Sequence, residues 1–339
     1  MSCGFIQKIA CAALAAAISG SAFPAAGEGP GVYVLSETAH SAVNERLLEM
    51  QTGFLSDSLC AGRGTGTVGA VEAAMWVERS FRRCGILPFG KSYAKGFDAG
   101  DGLAGRNIMG MLPAAGDSRG RGYVLVMAHY DGLGVLDGKM YPGADDNASG
   151  VAAMVDVALM FKKMAGYGRS YRKDIIFVAT DAKNLSMKGV RELWRMIGDG
   201  ELHDPLTGAQ IRPEDISLAV NIDQAGSSLS PLSSGRKDYL IMLSSEGSPL
   251  RGTLRLADLK YGTDMDLGYD YYGSAAFTRM FFSQVGEQKV FLENKVPAVM
   301  FTSGITMNNN KTWDTSGTLD LPVLKKRVWL IFHWLERAM

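Results

Sequence analysis

Apolar positions along the chain alternate between two periods. Residues 124–128 form an unbroken, branched apolar run, too short for a helix of its own and typical of a strand buried on both faces. Downstream, Val151, Met154, Val155, Ala158 and Phe161 fall on one helical face. The same reading predicts further strands over 108–112 (an edge strand), 174–181, 218–223, 239–243 and 298–302. It predicts helices over 41–50, 70–84, 187–197, 249–260 and 322–338. Gly85 follows the 70–84 helix as a C-cap residue would.

Strand and helix in turn imply a three-layer α/β/α fold with a mostly parallel central sheet. Neither an internal repeat nor a linker-like composition break interrupts the chain after its first residues. One domain over 27–339 is the simplest organisation. The Gly-, Tyr- and Phe-rich stretch 261–288 has the composition of a flap, and 116–120 that of a polar turn.

The strand over 124–128 ends at His129 and Asp131, and open α/β sheets bind ligands at the carboxyl ends of their strands. Asp145 and Asp146 open the helical segment that follows, where unpaired helix N–H groups favour carboxylates. An imidazole and several carboxylates converging in this way suit zinc. Gly64-x-Gly66-x-x-Gly69 lacks the preceding strand and the acidic residue about 20 positions on that a dinucleotide site needs.

Composition adds exclusions. The 339 residues are 47% apolar, with 35 basic and 35 acidic side chains, so no phosphate-backbone binder and no nucleic-acid partner is expected. Residues 1–26 read as a secretory signal: Lys8, an Ala-rich apolar run too short to span a bilayer, then small residues. Export to a periplasmic or extracellular location follows from that reading. No later run is long enough to cross a membrane. Cys60 and Cys84 remain after cleavage, either pairing in an oxidising compartment or serving as small buried apolar groups.

With these landmarks in order, the chain resembles peptidase family twenty-eight of the metallopeptidases, the co-catalytic zinc aminopeptidases to which glutaminyl cyclases are related. The resemblance runs from about Leu47 to the C-terminus. It rests on Gly62-Arg-Gly-Thr-Gly, Gly105-Arg-Asn-Ile-Met-Gly-Met-Leu-Pro, Ala128-His-Tyr-Asp, Gly143-Ala-Asp-Asp-Asn-Ala-Ser-Gly-Val, Asn221-Ile-Asp, Phe291-Leu-Glu-Asn-Lys-Val-Pro-Ala-Val and Trp313-Asp-Thr. It implies two zinc ions sharing a carboxylate and a water, with a Glu as general base. Carried over residue by residue, His129, Asp145 and Asp223 match ligands of one ion, with Asp145 as the bridge. Asp131 matches the carboxylate that orients the histidine.

The other half departs from the family. Where it places a Glu-Glu pair, general base then ligand, this chain has Lys183-Asn184. Where it places a late histidine ligand stands Asn310, and its Asp-His before the Phe-Leu block reads Glu287-Gln288. His203, in a polar loop, and His333, on the last helix, are not placed to compensate. A lysine cannot serve as base while protonated, but its ammonium can neutralise the clustered carboxylates in place of a missing ion. The expectation is an exported, catalytically impaired relative that holds at most one zinc, or none, and binds a peptide end or another small ligand in its cleft. The alternative is an active single-metal hydrolase using His129, Asp145 and Asp223.

Overall fold

In the computed structural model, residues 37–115, 122–271 and 273–339 are described, and the expected signal segment and the turn at 116–120 lie outside them. Residues 37–40 are helical, and two longer helices follow. Asn44 caps α1 (Glu45–Leu55) by accepting from Leu47 N at 2.9 Å, and Thr67 caps α2 (Val68–Arg83) by accepting from Ala70 N at 3.2 Å. Both start or end a few residues from the expected bounds, because the capping side chains set them.

The described residues form a nine-stranded sheet. Its strands are β1 (Leu87–Pro88), β2 (Ala94–Gly100), β3 (Leu103–Leu112), β4 (Tyr123–His129), β7 (Asp174–Thr180), β8 (Ile216–Ile222), β9 (Tyr239–Ser244), β10 (Asp266–Gly268) and β11 (Ala298–Thr302). A small hairpin, β5 (Gly134–Leu136) and β6 (Lys139–Tyr141), stands apart. Sheet order is β1-β3-β7-β4-β8-β11-β9-β10, with β2 also on β3. The central four, β7, β4, β8 and β11, are parallel, and β3, β1, β2 and β9 join antiparallel. The strand expected at 108–112 is therefore not an edge. It is part of the longer β3, covered on one side by β7 and on the other by β1 and β2.

Helices α3 (Gly150–Gly166), α4 (Lys188–Gly198), α5 (Leu250–Tyr261), α6 (Ala275–Gln284), α7 (Gln288–Glu293) and α8 (Leu321–Ala338) flank this sheet. On one face Leu125 and Met127 of β4 and Ile176 and Val178 of β7 pack with Val190, Leu193 and Ile197 of α4 and Phe291 of α7. On the other, Phe177 meets Phe81 of α2 edge-on. The central strands are thus buried on both faces, which is why they read as continuous apolar runs. The stretch expected to be a flap contributes β10 and α6, packed against β9.

Candidate functional site: a histidine and carboxylates closed by a lysine

Strands β7, β4 and β8 lie side by side and parallel, so their carboxyl ends bring Asp181, His129 and Asp223 to one end of the sheet. His129 Nε2 lies 3.3 Å from Asp146 Oδ1 and 3.5 Å from Asp223 Oδ1. These three could hold a metal, with one ligand atom from each within 4.8 Å of the others. On the far side of the ring, Nδ1 faces Asp131, 3.1 Å from its carbonyl and 3.5 Å from its carboxylate.

Lys183 closes the group. Its Nζ lies 2.8 Å from His129 Nε2, 2.8 Å from Asp223 Oδ2 and 3.8 Å from Asp146 Oδ1. Burial pulls the Lys183 ammonium down, but Asp223 and Asp146 outweigh it and hold the group above its ordinary value. Reciprocally, burial pushes Asp223 and Asp146 up, but the Lys183 ammonium, with His129, holds both below the usual carboxylate range. Burial and the Lys183 ammonium pull His129 down, but Asp223, Asp131 and Asp146 outweigh them and hold the ring well above its ordinary value.

Asp145 is not where the sequence reading put it. The carboxylate beside His129 belongs to Asp146. Asp145 Oδ1 instead accepts from Gly226 N at 2.8 Å and Ser149 Oγ at 3.1 Å. Burial, with Asp314 nearby, pushes it up to about 7. The cause is local backbone. Residues Ala144–Ser149 form an irregular turn in which Asp146 (φ −106°, ψ 82°) and Asn147 (φ −139°, ψ 37°) are not helical, and α3 begins only at Gly150. Counting a regular helix from Asp145 therefore rotates the wrong side chain inward.

Three further residues fix this turn. Asp314 accepts from the backbone N–H of Asp145 at 2.9 Å and of Asp146 at 3.1 Å. Asn147 donates to Ile222 O and His129 O and accepts from Gly150 N and Gln224 N, tying two strand ends to the turn. Arg63, fully buried, donates to the carbonyls of Tyr130, Leu55, Pro142 and Gly143. Its loop comes close enough to the hairpin that a Cβ on Gly62 would sit 2.5 Å from Tyr141 O. Each of the three lies in a block quoted for the family resemblance, and none was read from sequence as a site residue. Glu287 was also noted only as a departure. It is wholly buried, accepts from Thr180 Oγ1 at 2.7 Å and has no partner for Oε1. Burial pushes it up to about 7 against the pull of His129 and Lys183.

Asn184 and Asn310 border a small crevice of about 10 Å³ against Asp146, with Tyr141, Lys311 and Asp314. Both are amides, weak ligands for zinc. His333 is bound to His40 and Glu336 and is not at the cleft. His203 bridges Gln210. Cys60 and Cys84 are unpaired and buried. On the His129 side the donors suit one zinc, but the Lys183 ammonium already occupies the space between them. Ion and ammonium therefore compete for the same atoms.

Several solved structures share this architecture. LapB of Legionella pneumophila superimposes with a TM-score of 0.65 at 15% identity, over 88% of this chain and 73% of that one. The aminopeptidase of Aneurinibacillus sp. strain AM-1 gives 0.64 at 13%, over 89% and 96%. A glutaminyl cyclase from an Acidobacteriales bacterium gives 0.61 at 16%, over 94% and 100%. At these identities the likeness is one of fold. The model of peptidase family M28 matches residues 107–317, more than half of the chain, and the chain belongs to that family. In sequence it is 27% identical over 106 residues to the BOS complex subunit ncln of Danio rerio, a match spanning 31% of this chain and 17% of that protein. The family and its zinc aminopeptidase structures point to zinc as the metal such a site would take.

Proposed function

We propose that this M28 protein is an exported, catalytically impaired peptidase relative in which the Lys183 ammonium does the electrostatic work of a metal ion. The observation that carries the reading is the pair of 2.8 Å contacts from Lys183 Nζ to His129 Nε2 and Asp223 Oδ2. A lysine held charged by two carboxylates cannot take a proton from water, so the residue at the general-base position does not act as one. What remains is a cleft that orients His129 through Asp131 and offers amide and carboxylate groups at Asn184, Asn310 and Asp146 to a peptide end or a small polar ligand.

A second reading has one observation in its favour. His129, Asp146 and Asp223 form a three-ligand set. Zinc displacing Lys183 would leave an open position for water, the arrangement of a single-metal hydrolase. Hydrolysis of leucine p-nitroanilide by the mature protein, with EDTA and with added zinc, separates the two. Loss of a general base costs about two to four orders of magnitude, so turnover near background in both conditions is expected. Zinc-dependent turnover at ordinary aminopeptidase rates contradicts the first reading and supports the second. N-terminal sequencing of protein from the exported fraction tests cleavage near residue 27.

A further inference from the structure

A large cleft lies away from His129. Strand β9 runs antiparallel to β11, and its last residue, Ser244, pairs with Val299 near the start of β11. That places the end of β9 at the opposite end of the sheet from His129 and Asp223. There the ends of β9 and β10, the start of α5 and the face of α6 line an open cleft of about 500 Å³, the scale of a small-molecule pocket. Phe282, Leu292, Ala275 and the ring of Tyr269 supply its apolar wall.

Two guanidiniums border it. Arg251 is held in place: Nε donates to Ser244 Oγ at 3.0 Å, Nη2 donates to Ser244 O at 3.2 Å, and the group lies 5.7 Å from the Tyr269 ring centroid. Tyr269 in turn donates to Arg251 O at 3.1 Å. Arg279 of α6 is exposed and forms no ion pair among the described residues. Two carboxylates, Glu246 and Asp270, border the same space; Asp270 Oδ1 accepts from Gly273 N at 2.9 Å, and neither carboxylate forms an ion pair among the described residues. Opposite charges around one cavity that do not satisfy each other are left for a ligand carrying both.

We infer that this cleft is a second binding site, taking a small zwitterion with an apolar body: an amino acid or short peptide with large apolar side chains. The ligand carboxylate faces Arg251 and Arg279, its ammonium faces Glu246 and Asp270, and its side chains rest on Phe282 and Leu292. The inference does not depend on whether the His129 cleft is catalytic.

The test is calorimetric titration of the full mature chain with the dipeptide Leu-Phe, its C-terminal amide and its N-acetyl form. The amide lacks the carboxylate and the acetyl form lacks the ammonium. Binding of Leu-Phe is expected, weakened about tenfold or more by either ligand modification, by Arg279→Ala and by Glu246→Gln. Arg79→Ala, at an exposed position of α2, should leave it unchanged. No binding at millimolar Leu-Phe overturns the inference. Equal affinity of Leu-Phe and its amide, or binding unchanged in both Arg279→Ala and Glu246→Gln, overturns it as well. The modified ligands need no change in the protein, so they decide the question even if a variant folds poorly.

Discussion

Replacing Lys183 by Met keeps most of the aliphatic stem and removes the ammonium. Asp223 and Asp146 are then left with their charges facing each other across His129. The side chain of Asp223 is 4% exposed and that of Lys183 15%, so water offsets little of this. Breaking a buried ion pair from one side costs about 3–5 kcal/mol. The partial exposure of Lys183 and Asp146 places the expected loss near the lower bound, about 3 kcal/mol. The sign with pH is fixed by the carboxylates. In the wild type both are held below their unfolded values, so their contribution is present above about pH 4 and is lost as pH falls through the folded values. Without the lysine, burial raises them instead, and the deficit of the variant should shrink on acidification from pH 7 toward pH 4. Zinc should restore stability to Lys183→Met, by about 2.7 kcal/mol at one hundred times its dissociation constant, and do little for the wild type, whose lysine occupies the site. Urea unfolding of both proteins at pH 5 and 7.5, in EDTA and in zinc, measures all of this. Equal midpoints for variant and wild type in EDTA at pH 7.5 would refute the reasoning.

Three other outcomes follow from the same geometry. Asp146→Asn should lower stability at pH 7.5 and abolish zinc rescue of Lys183→Met, whereas Asp145→Asn should do neither, because Asp145 lies outside the ion-binding group; thermal melts of the paired variants check the contrast. Glu287 has a folded value raised to about 7, so the stability it allows is full below about pH 4.5 and falls as pH rises through 7. Glu287→Gln should remove that part of the decline, on the order of 3 kcal/mol by pH 8, and a variant whose pH–stability curve parallels the wild type would contradict the assignment. Arg63→Met leaves buried carbonyls of Tyr130, Leu55, Pro142 and Gly143 unpaired and should cost about 3 kcal/mol or more, with Arg63→Lys rescuing little because one ammonium cannot reproduce the fork; equal denaturation midpoints for Arg63→Met and wild type would show the clamp to be dispensable.

The central strands were legible because each is buried on both faces and reads as an apolar run, and their shared direction placed His129 and Asp223 correctly at one end of the sheet. The residue between them was misread. Asp145 and Asp146 are adjacent, and only the irregular turn before Gly150 decides which faces His129. That turn is imposed by Asp314 and Asn147, the first of them far along the chain, so no local periodicity carries it. The 108–112 stretch reads as an edge from sequence because β1, which covers part of it, has two residues, and β2, which covers much of the rest of β3, carries little apolar pattern in Ala-Lys-Gly-Phe-Asp-Ala-Gly. Arg63 was hidden for a related reason: an arginine in a glycine-rich loop reads as solvated until the carbonyls it serves are brought around it by the fold. The pocket at the end of β9 depends on a strand reversal and on α6, both in a region whose Gly- and aromatic-rich composition gives no period.

Zinc stoichiometry by elemental analysis, on wild type and on the triple variant Lys183→Glu, Asn184→Glu, Asn310→His, tests the central claim most directly. At most one weakly held zinc per wild-type chain is expected, with the triple variant moving toward two as it regains carboxylate and imidazole ligands on both sides of Asp146. Two tightly bound zinc ions in the wild type, or a folded triple variant that takes up no more zinc than the wild type, would contradict the account.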